Sequence, residues 1–191
     1  MAGGVRGWTC VWCEDLTAAI ELDAIGTGAL DVSREVPPQS QMTDDTIRDG
    51  EVAAILPAHL DAGVYFIGTI HTPWHRREDC PKRGSLDGPI CTIVVDEAWR
   101  EALTGISQHE RIDVLYWMHR ARRDLLLQTP YSARRTTGTF ALRSPVRPNP
   151  IAISVVALIA VEGNTLQVRG LDCLDGTPLL DLKPERGASE Q

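Results

Sequence analysis

Residues 139–153 read TFALRSPVRPNPIAI, a short apolar segment followed by a loop in which three prolines are closely spaced. The apolar residues 140–142 predict a short strand. Each proline fixes φ at about −65°, removes a backbone donor and biases the preceding residue toward an extended backbone. Arg143, Arg147 and Asn149 therefore lie on a loop with little freedom to lose on binding, which suits a polar, anionic ligand. A proline-rich surface turn between two strands is the alternative interpretation.

The composition is that of one globular domain without a membrane segment. The chain has 191 residues, of which 43% are hydrophobic and 24% charged, and this length is typical of about one domain. Its longest apolar run, 151–161, is far shorter than the roughly 20 residues of a membrane helix. At the N-terminus no basic segment precedes an apolar one. We therefore predict a cytoplasmic protein with no secretory signal and no membrane association.

The cysteines and aspartates predict neither a disulfide framework nor a metal site. The five cysteines are odd in number and scattered, which suits a reducing compartment. Cys10 and Cys13 form a CxxC pair, but no second pair and no paired histidines follow it. Asp172, Asp175 and Asp181 lack the spacing of a ligand set, and Asp175 begins a turn dipeptide. We predict no metal.

The net charge of −7 conceals an uneven distribution. Residues 1–61 contain 3 arginines and 11 acidic residues, whereas residues 62–191 contain 16 basic and 15 acidic residues. Between Arg111 and Arg147 there are eight arginines and only two acidic residues. Phosphate affinity follows such a local patch rather than the whole-chain sum. The patch favours an RNA partner, although a run of charge is more often a solvated face.

The remaining sequence predicts six or seven strands and one or two short helices. Strands are expected at 64–70, 90–95, 111–119, 138–143, 151–161, 165–171 and 179–182. A short helix should follow Asp96 and end at Gly105, and residues 125–135 are predicted as a loop. No GxGxxG motif follows a predicted strand, as it would in a dinucleotide-binding fold. The close spacing of the strands indicates a mainly β fold, a small β-barrel over residues 61–186. We expect residues 1–60 to be a disordered acidic tail and 187–191 to be a second tail.

Several segments, in order along residues 64–184, resemble motifs of the TsaA-like (TrmO) family of S-adenosylmethionine-dependent tRNA methyltransferases. They are IGTIHTPW (67–74), CPKRG (80–84), ALTGI (102–106), VLYWMHRA (114–121), FALRSPVRPNPI (140–151), EGN (162–164) and RGLDCLDGTPLLDLKP (169–184). The resemblance implies a small β-barrel enzyme, usually a homodimer. It further implies methyl transfer from S-adenosylmethionine to N6 of N6-threonylcarbamoyladenosine at position 37 of the tRNA anticodon loop.

The resemblance also implies which residues form the site. The cofactor-binding positions would be Pro81, Lys82, Arg83, His119, Arg120, Arg143, Ile153, Arg169, Gly170, Leu171 and Asp172. Removal of the N6 proton requires an acceptor, and the sequence leaves three candidates open: Asp172, Asp181 and His119. The predicted RNA contacts are arginines and an asparagine for the phosphates and a loop tryptophan for base stacking. They are Arg134, Arg135, Arg147, Asn149 and Trp74. Trp99 and Trp117 are expected to pack in the core.

The sequence departs from the family pattern at few positions. The family's CPRQ reads CPKR here, Leu142 replaces Thr, Ala152 replaces Gly, and Glu185 replaces the Tyr of KPY. These changes leave the predicted cofactor site intact. The additional C-terminal domain of enterobacterial members does not follow Pro184, which leaves the choice of tRNA open. Two alternatives therefore stand beside the tRNA methyltransferase: a non-catalytic S-adenosylmethionine-binding regulatory or adaptor barrel, and a small-molecule methyltransferase.

Overall fold

The computed structural model describes residues 47–57, 59–130 and 135–186, and within these ranges the chain forms nine strands. They are β1 (Val52–Ala53), β2 (Gly68–His71), β3 (Cys91–Val95), β4 (Arg111–Trp117), β5 (Leu125–Gln128), β6 (Thr137–Gly138), β7 (Ile151–Glu162), β8 (Thr165–Arg169) and β9 (Thr177–Pro184). Six of them close a barrel in the order β2-β3-β8-β7-β4-β9, and every neighbouring pair is antiparallel. The predicted mainly β barrel is confirmed.

The barrel core follows from the two-residue period of the strands. In β4, Ile112, Val114 and Tyr116 are buried, whereas the residues between them are partly exposed, because successive side chains of a strand point to opposite faces. The inward positions of the other barrel strands complete the core with Ile70, Ile93, Val95, Val156, Leu166, Val168 and Leu179. Tyr116 therefore places a phenol hydroxyl inside an apolar barrel.

A second sheet has the strand order β1-β5-β6, and its strand β6 directly precedes the proline-loop segment in sequence. Gln128, on β5 of this sheet, holds the proline loop. The Gln128 side-chain amide donates to Thr139 Oγ1 at 2.9 Å and to the Val146 carbonyl at 2.6 Å. The Thr139 hydroxyl in turn donates to the Leu125 carbonyl at 2.6 Å. Gln128 and Thr139 are both buried, so these bonds fix the proline loop from its inner side.

Two local predictions differ from the structure. The strand predicted at 138–143 is wrong, because the two-residue β6 gives way to a 3₁₀ turn at Thr139–Ala141, where the buried Thr139 is held by hydrogen bonds. The apolar ring of Phe140 is consequently 83% exposed. The predicted loop at 125–135 contains β5, whose ends Leu125 and Gln128 are buried.

The predicted tail and the predicted helix also need adjustment. Residues 47–57 belong to the described structure, since β1 pairs with β5 and the Glu51 carboxylate accepts the Thr129 backbone N–H at 3.2 Å. Residues 1–46 of the predicted N-terminal tail and the predicted C-terminal tail, 187–191, lie outside the described residues. The short helix after Asp96 is a 3₁₀ helix, Glu97–Leu103. Among the described residues, no helix has the length and apolar character needed to cross a bilayer.

The hydroxyl of Thr139 can be tested by a near-isosteric substitution. Thr139→Val should lower the free energy of unfolding by about 1–3 kcal/mol, because a buried hydrogen-bonding group loses its partner. Thr137→Val is the matched control, since its hydroxyl makes only an exposed, 3.4 Å contact with the Arg135 carbonyl, and it should change stability by no more than about 0.5 kcal/mol. Equal urea midpoints for the two variants would contradict this role of Thr139.

Candidate functional site

Asp172 is the point at which three separate segments meet. The Tyr116 hydroxyl, from inside the barrel, donates to Asp172 Oδ1 at 2.6 Å. The Gly84 backbone N–H, from the CPKRG loop, donates to Asp172 Oδ2 at 3.2 Å. The Ser154 hydroxyl on β7 lies 2.9 Å from the Tyr116 hydroxyl. One carboxylate thus connects the barrel interior, the 80–84 loop and the segment that follows β8.

The direction of the hydrogen bonds in this network follows from the chemistry of Tyr116. Burial and the nearby Asp172 carboxylate raise the pKa of Tyr116 above its ordinary value of 10. The phenol therefore keeps its proton at neutral pH. Because a phenol has one proton to donate and Tyr116 donates it to Asp172, the Ser154 hydroxyl must donate to Tyr116. The proton order is Ser154 to Tyr116 to Asp172.

Two glycines allow the 80–84 loop to approach the segment after β8. A Cβ built on Gly84 would overlap the Gly170 carbonyl, so only glycine fits there. Gly170 itself has a φ of 119°, a backbone angle that residues with a side chain rarely adopt. The Arg169 guanidinium donates to the Gly88 carbonyl and fastens the same loop from its other end. Most of the predicted cofactor residues of both segments are thereby brought together.

The exposure of the side chains differs along these two segments. Lys82 and Arg83 are exposed, and Pro81 is partly buried. Leu171 is buried in the core, so only its backbone faces the loop side. The site therefore combines the positive charges of the exposed Lys82 and Arg83 with the negative charge of the partly buried Asp172.

His119 and Arg120 lie just beyond β4, beside the proline loop that carries Arg143. The loop is fastened there, since Met118 N–H donates to the Pro150 carbonyl at 2.8 Å and Arg123 donates to the Pro148 carbonyl at 2.6 Å. Arg120 and Arg143 are exposed. Burial, together with the positive charge of Arg120, lowers the pKa of His119 below its usual 6.5. At neutral pH its imidazole is therefore uncharged.

The three candidate proton acceptors have different surroundings. Both oxygens of Asp172 accept hydrogen bonds from fixed protein donors. Asp181 lies 2.6 Å from the Lys183 ammonium and also accepts the Leu182 backbone N–H. His119 has an uncharged imidazole, which is the protonation state that an acceptor requires. These surroundings favour His119.

The predicted RNA contacts occupy dissimilar environments. Asn149 and Arg135 are exposed, whereas Arg134 lies outside the described residues. Arg147 differs from expectation, because its guanidinium donates to the carbonyls of Ser144, Leu142 and Thr139 within its own loop. It acts as an internal brace of the proline loop.

The tryptophans also differ from expectation. Trp74, predicted to be free for stacking, is partly buried and packs against the barrel core. Trp99, predicted to pack, is 40% exposed, with its ring centroid 6.0 Å from that of Tyr65. Trp117, also predicted to pack in the core, is partly buried at an outward position of β4, with the Phe66 ring centroid 6.4 Å away and the Arg123 guanidinium 5.4 Å from its ring. Ile153, a predicted cofactor contact, is about half exposed on the outer face of β7.

Sequence reasoning missed Tyr116, Ser154 and the cluster around Asp175. The signal for Tyr116 was a phenol at an inward position of an apolar strand, where a polar group needs a partner. Asp175, predicted only as a turn residue, lies 3.2 Å from His71 Nδ1 and 3.6 Å from His75 Nδ1. Its two histidine partners lie 104 and 100 positions earlier in the sequence, and no local pattern predicts that pairing.

An open cleft lies elsewhere on the molecule. It has a volume of about 720 Å³ and lies where β4 begins and β9 ends, and it is lined by His109, Asp113, Val155, Lys183, Pro184, Glu185 and Arg186. None of the predicted cofactor residues, all of which the structure describes, lines it. The cleft is open and its walls carry both charges, whereas Asp172, the one carboxylate among the predicted cofactor residues, is held by the buried Tyr116 hydroxyl and by the Gly84 N–H.

Comparison with known sequences gives the family directly. Residues 69–187 match the family described as the tRNA-methyltransferase O N-terminal domain. The chain belongs to this family. The resemblance of its motifs to TrmO proteins is thereby confirmed.

Individual relatives are named either as S-adenosyl-L-methionine-binding proteins or as tRNA methyltransferases. The chain is 48% identical over 149 residues to the "Probable S-adenosyl-L-methionine-binding protein VirR" of Rhizobium radiobacter, a match that covers 78% of this chain and 85% of VirR. It is 35% identical over 86 residues to the mouse (Mus musculus) "tRNA (adenine(37)-N6)-methyltransferase", covering 44% of this chain and 20% of the mouse protein. The crystal structure of TrmO from Pseudomonas aeruginosa superposes with a TM-score of 0.56 and 30% identity.

The shared region is only part of the larger relatives. The superposition covers 69% of this chain and 58% of the Pseudomonas TrmO chain. The family match, residues 69–187, spans the barrel strands and the motif loops between them.

The contact between the 80–84 loop and Gly170 can be tested by adding one methyl group. Gly84→Ala should displace the loop and raise the rate of tryptic cleavage after Lys82 and Arg83 by roughly 10-fold, since overpacking costs about 1–3 kcal/mol. Gly63→Ala is the control, because a Cβ there meets no described atom within 4 Å. If both variants are cleaved at the wild-type rate, the loop is not held by this contact.

Proposed function

We propose that this protein binds S-adenosylmethionine beside Asp172 and transfers its methyl group to N6 of an adenosine in tRNA. The observation that carries the proposal is the meeting of the 80–84 loop, the 169–172 segment and Tyr116 at one carboxylate. Membership of the tRNA-methyltransferase O family supports both the cofactor and the reaction. The name of VirR supports the cofactor alone.

The residues around Asp172 fit the cofactor chemically. Bound S-adenosylmethionine supplies an electrophilic methyl group, and it carries a carboxylate and several hydroxyl and amino donors. Lys82, Arg83 and Arg143 are exposed cations suited to the carboxylate. A carboxylate has about four lone-pair sites, of which Asp172 uses two internally, so it can accept further bonds from ribose hydroxyls or the adenine amino group. The close backbone approach at Gly84 leaves no side chain in the way.

The work left to the protein is to align the reactants and to take a proton. Alignment of reacting groups can account for much of an enzymatic rate enhancement, and the braced proline loop and the pinned 80–84 loop are suited to it. We assign the proton transfer to His119, whose uncharged imidazole can accept the N6 proton. Asp172 is assigned to cofactor binding, because both of its oxygens are already held.

The finer substrate is proposed as N6-threonylcarbamoyladenosine at position 37 of the anticodon loop. The mouse relative is named for adenine 37, and the motif resemblance adds the threonylcarbamoyl group. From the basic stretch between Arg111 and Arg147, the exposed Arg135 and Asn149 would contact phosphates, and Arg134 is proposed with them, whereas Arg147 braces its own loop.

We also propose a homodimer formed through β7. The outward residues Ile151, Ile153, Val155 and Ile159 are each 40–49% exposed and follow the two-residue period along one face of the strand. An apolar stripe of this kind is typical of an interaction site. A second copy would cover it and would lie next to Ile153, a proposed cofactor contact.

Purified protein should be incubated with methyl-labelled S-adenosylmethionine and hypomodified total tRNA, with fully modified tRNA as the control. Label at N6 of N6-threonylcarbamoyladenosine is the expected result. Tight cofactor binding without transfer would instead indicate an adaptor barrel, and label in a metabolite pool would indicate a small-molecule methyltransferase. Either outcome would contradict the proposal.

The assignment of His119 predicts a pH dependence. Since burial and Arg120 lower the pKa of His119 below its usual value, kcat/KM should fall with decreasing pH as the imidazole becomes protonated, and this acid limb should lie at lower pH than an unperturbed histidine would give. His119→Asn should lower kcat by about 10²-fold, in the range of general base catalysis, and should remove this acid limb. Persistence of the limb in the variant would assign the proton to another group.

A further inference from the structure

We infer that Tyr116 is a positioning residue for the cofactor: its buried hydroxyl holds the Asp172 carboxylate in the orientation that receives S-adenosylmethionine. The inference rests on the proposed function, because it concerns the cofactor of that same site. It adds a residue that lies inside the barrel and belongs to none of the loops that would surround the cofactor.

The first step is the rigidity of the donor. Tyr116 is 2% exposed and lies among the side chains of the barrel core, where close packing restricts the ring to one position. Its hydroxyl lies 2.6 Å from Asp172 Oδ1, within the range of charge-assisted O–H···O⁻ bonds. The hydroxyl therefore cannot follow the carboxylate if the carboxylate rotates.

The second step is the polarity of the network. Ser154 donates to Tyr116, and Tyr116 donates to Asp172, so each bond polarises the next. Burial and the Asp172 charge raise the pKa of Tyr116, which keeps the phenol a donor across the physiological pH range. Asp172 thus meets a permanent donor on its barrel side.

The third step is what remains without the hydroxyl. The only other described hydrogen bond to the Asp172 carboxylate is the Gly84 N–H at 3.2 Å, and Gly84 belongs to a loop rather than to the barrel. A phenylalanine at position 116 would fill the same core volume but leave the carboxylate held by the loop alone. The contribution of the hydroxyl to cofactor binding can therefore be separated from the contribution of the ring to the fold.

These steps predict a specific split of effects. Tyr116→Phe should weaken S-adenosylmethionine binding about 10-fold, since hydrogen bonds to charged groups are stronger than neutral ones. The rate of transfer from the bound cofactor should stay within about 3-fold of wild type, because the proton acceptor and the methyl donor are untouched. A merely structural role would lower the melting temperature without this selective loss of affinity.

Titration calorimetry with S-adenosylmethionine on the full chain, supported by thermal melting, tests the inference. Ser154→Ala is the matched control, because it removes a hydroxyl from the same network without touching Asp172; its affinity should stay within about 3-fold of wild type. In an Asp172→Asn background, Tyr116→Phe should add little to the loss, because the two changes remove the same bond.

The outcomes separate this inference from the proposed function. A wild-type protein that does not bind S-adenosylmethionine overturns the proposed function and this inference with it. A wild-type protein that binds, beside a folded Tyr116→Phe variant of equal affinity, overturns the inference alone. If Tyr116→Phe does not fold, Asp172→Asn tests the same bond from its accessible side, and unchanged affinity in that variant overturns the inference as well.

Discussion

The hydrogen bond between Tyr116 and Asp172 is the interaction on which the arrangement of the site depends. It joins the interior of a closed barrel to a carboxylate at the edge of two loops. Without it the loops would still meet, through the close approach of Gly84 to Gly170, the Gly84 N–H on Asp172 and the Arg169 side chain on Gly88, but none of these contacts reaches the barrel interior. With it, the position of the carboxylate is set by the close-packed core of the barrel.

The barrel can do this because of its strand register. Tyr116 and Ser154 occupy inward positions on neighbouring strands β4 and β7, with Tyr116 opposite Ala152 and Val114 opposite Ser154. Their hydroxyls therefore meet inside the wall, diagonally across the strand pair. The proline loop joins the same two strands at one end, so the segment carrying His119 and the loop carrying Arg143 are fixed by the same register.

The fold and the loops of the site could be predicted largely from local sequence. Runs rich in β-branched and aromatic residues predicted most barrel strands, and the motif resemblance predicted the family and the loops that meet at Asp172. The 3₁₀ turn at Thr139 was missed because its cause is a buried amide, Gln128, from a different strand. Tyr116 was missed for the same physical reason: a hydrogen bond to a residue 56 positions away depends on three-dimensional packing that local pattern does not contain.

The most direct test of the location of the site is amide hydrogen exchange of the wild-type protein with and without S-adenosylmethionine. Exchange should slow in residues 82–88, 118–121 and 169–172, since these backbone segments surround Asp172 and His119. Exchange should not change in residues 183–186, which line the cleft where β4 begins and β9 ends. Protection confined to that cleft, with residues 82–88 and 169–172 unaffected, would contradict the account.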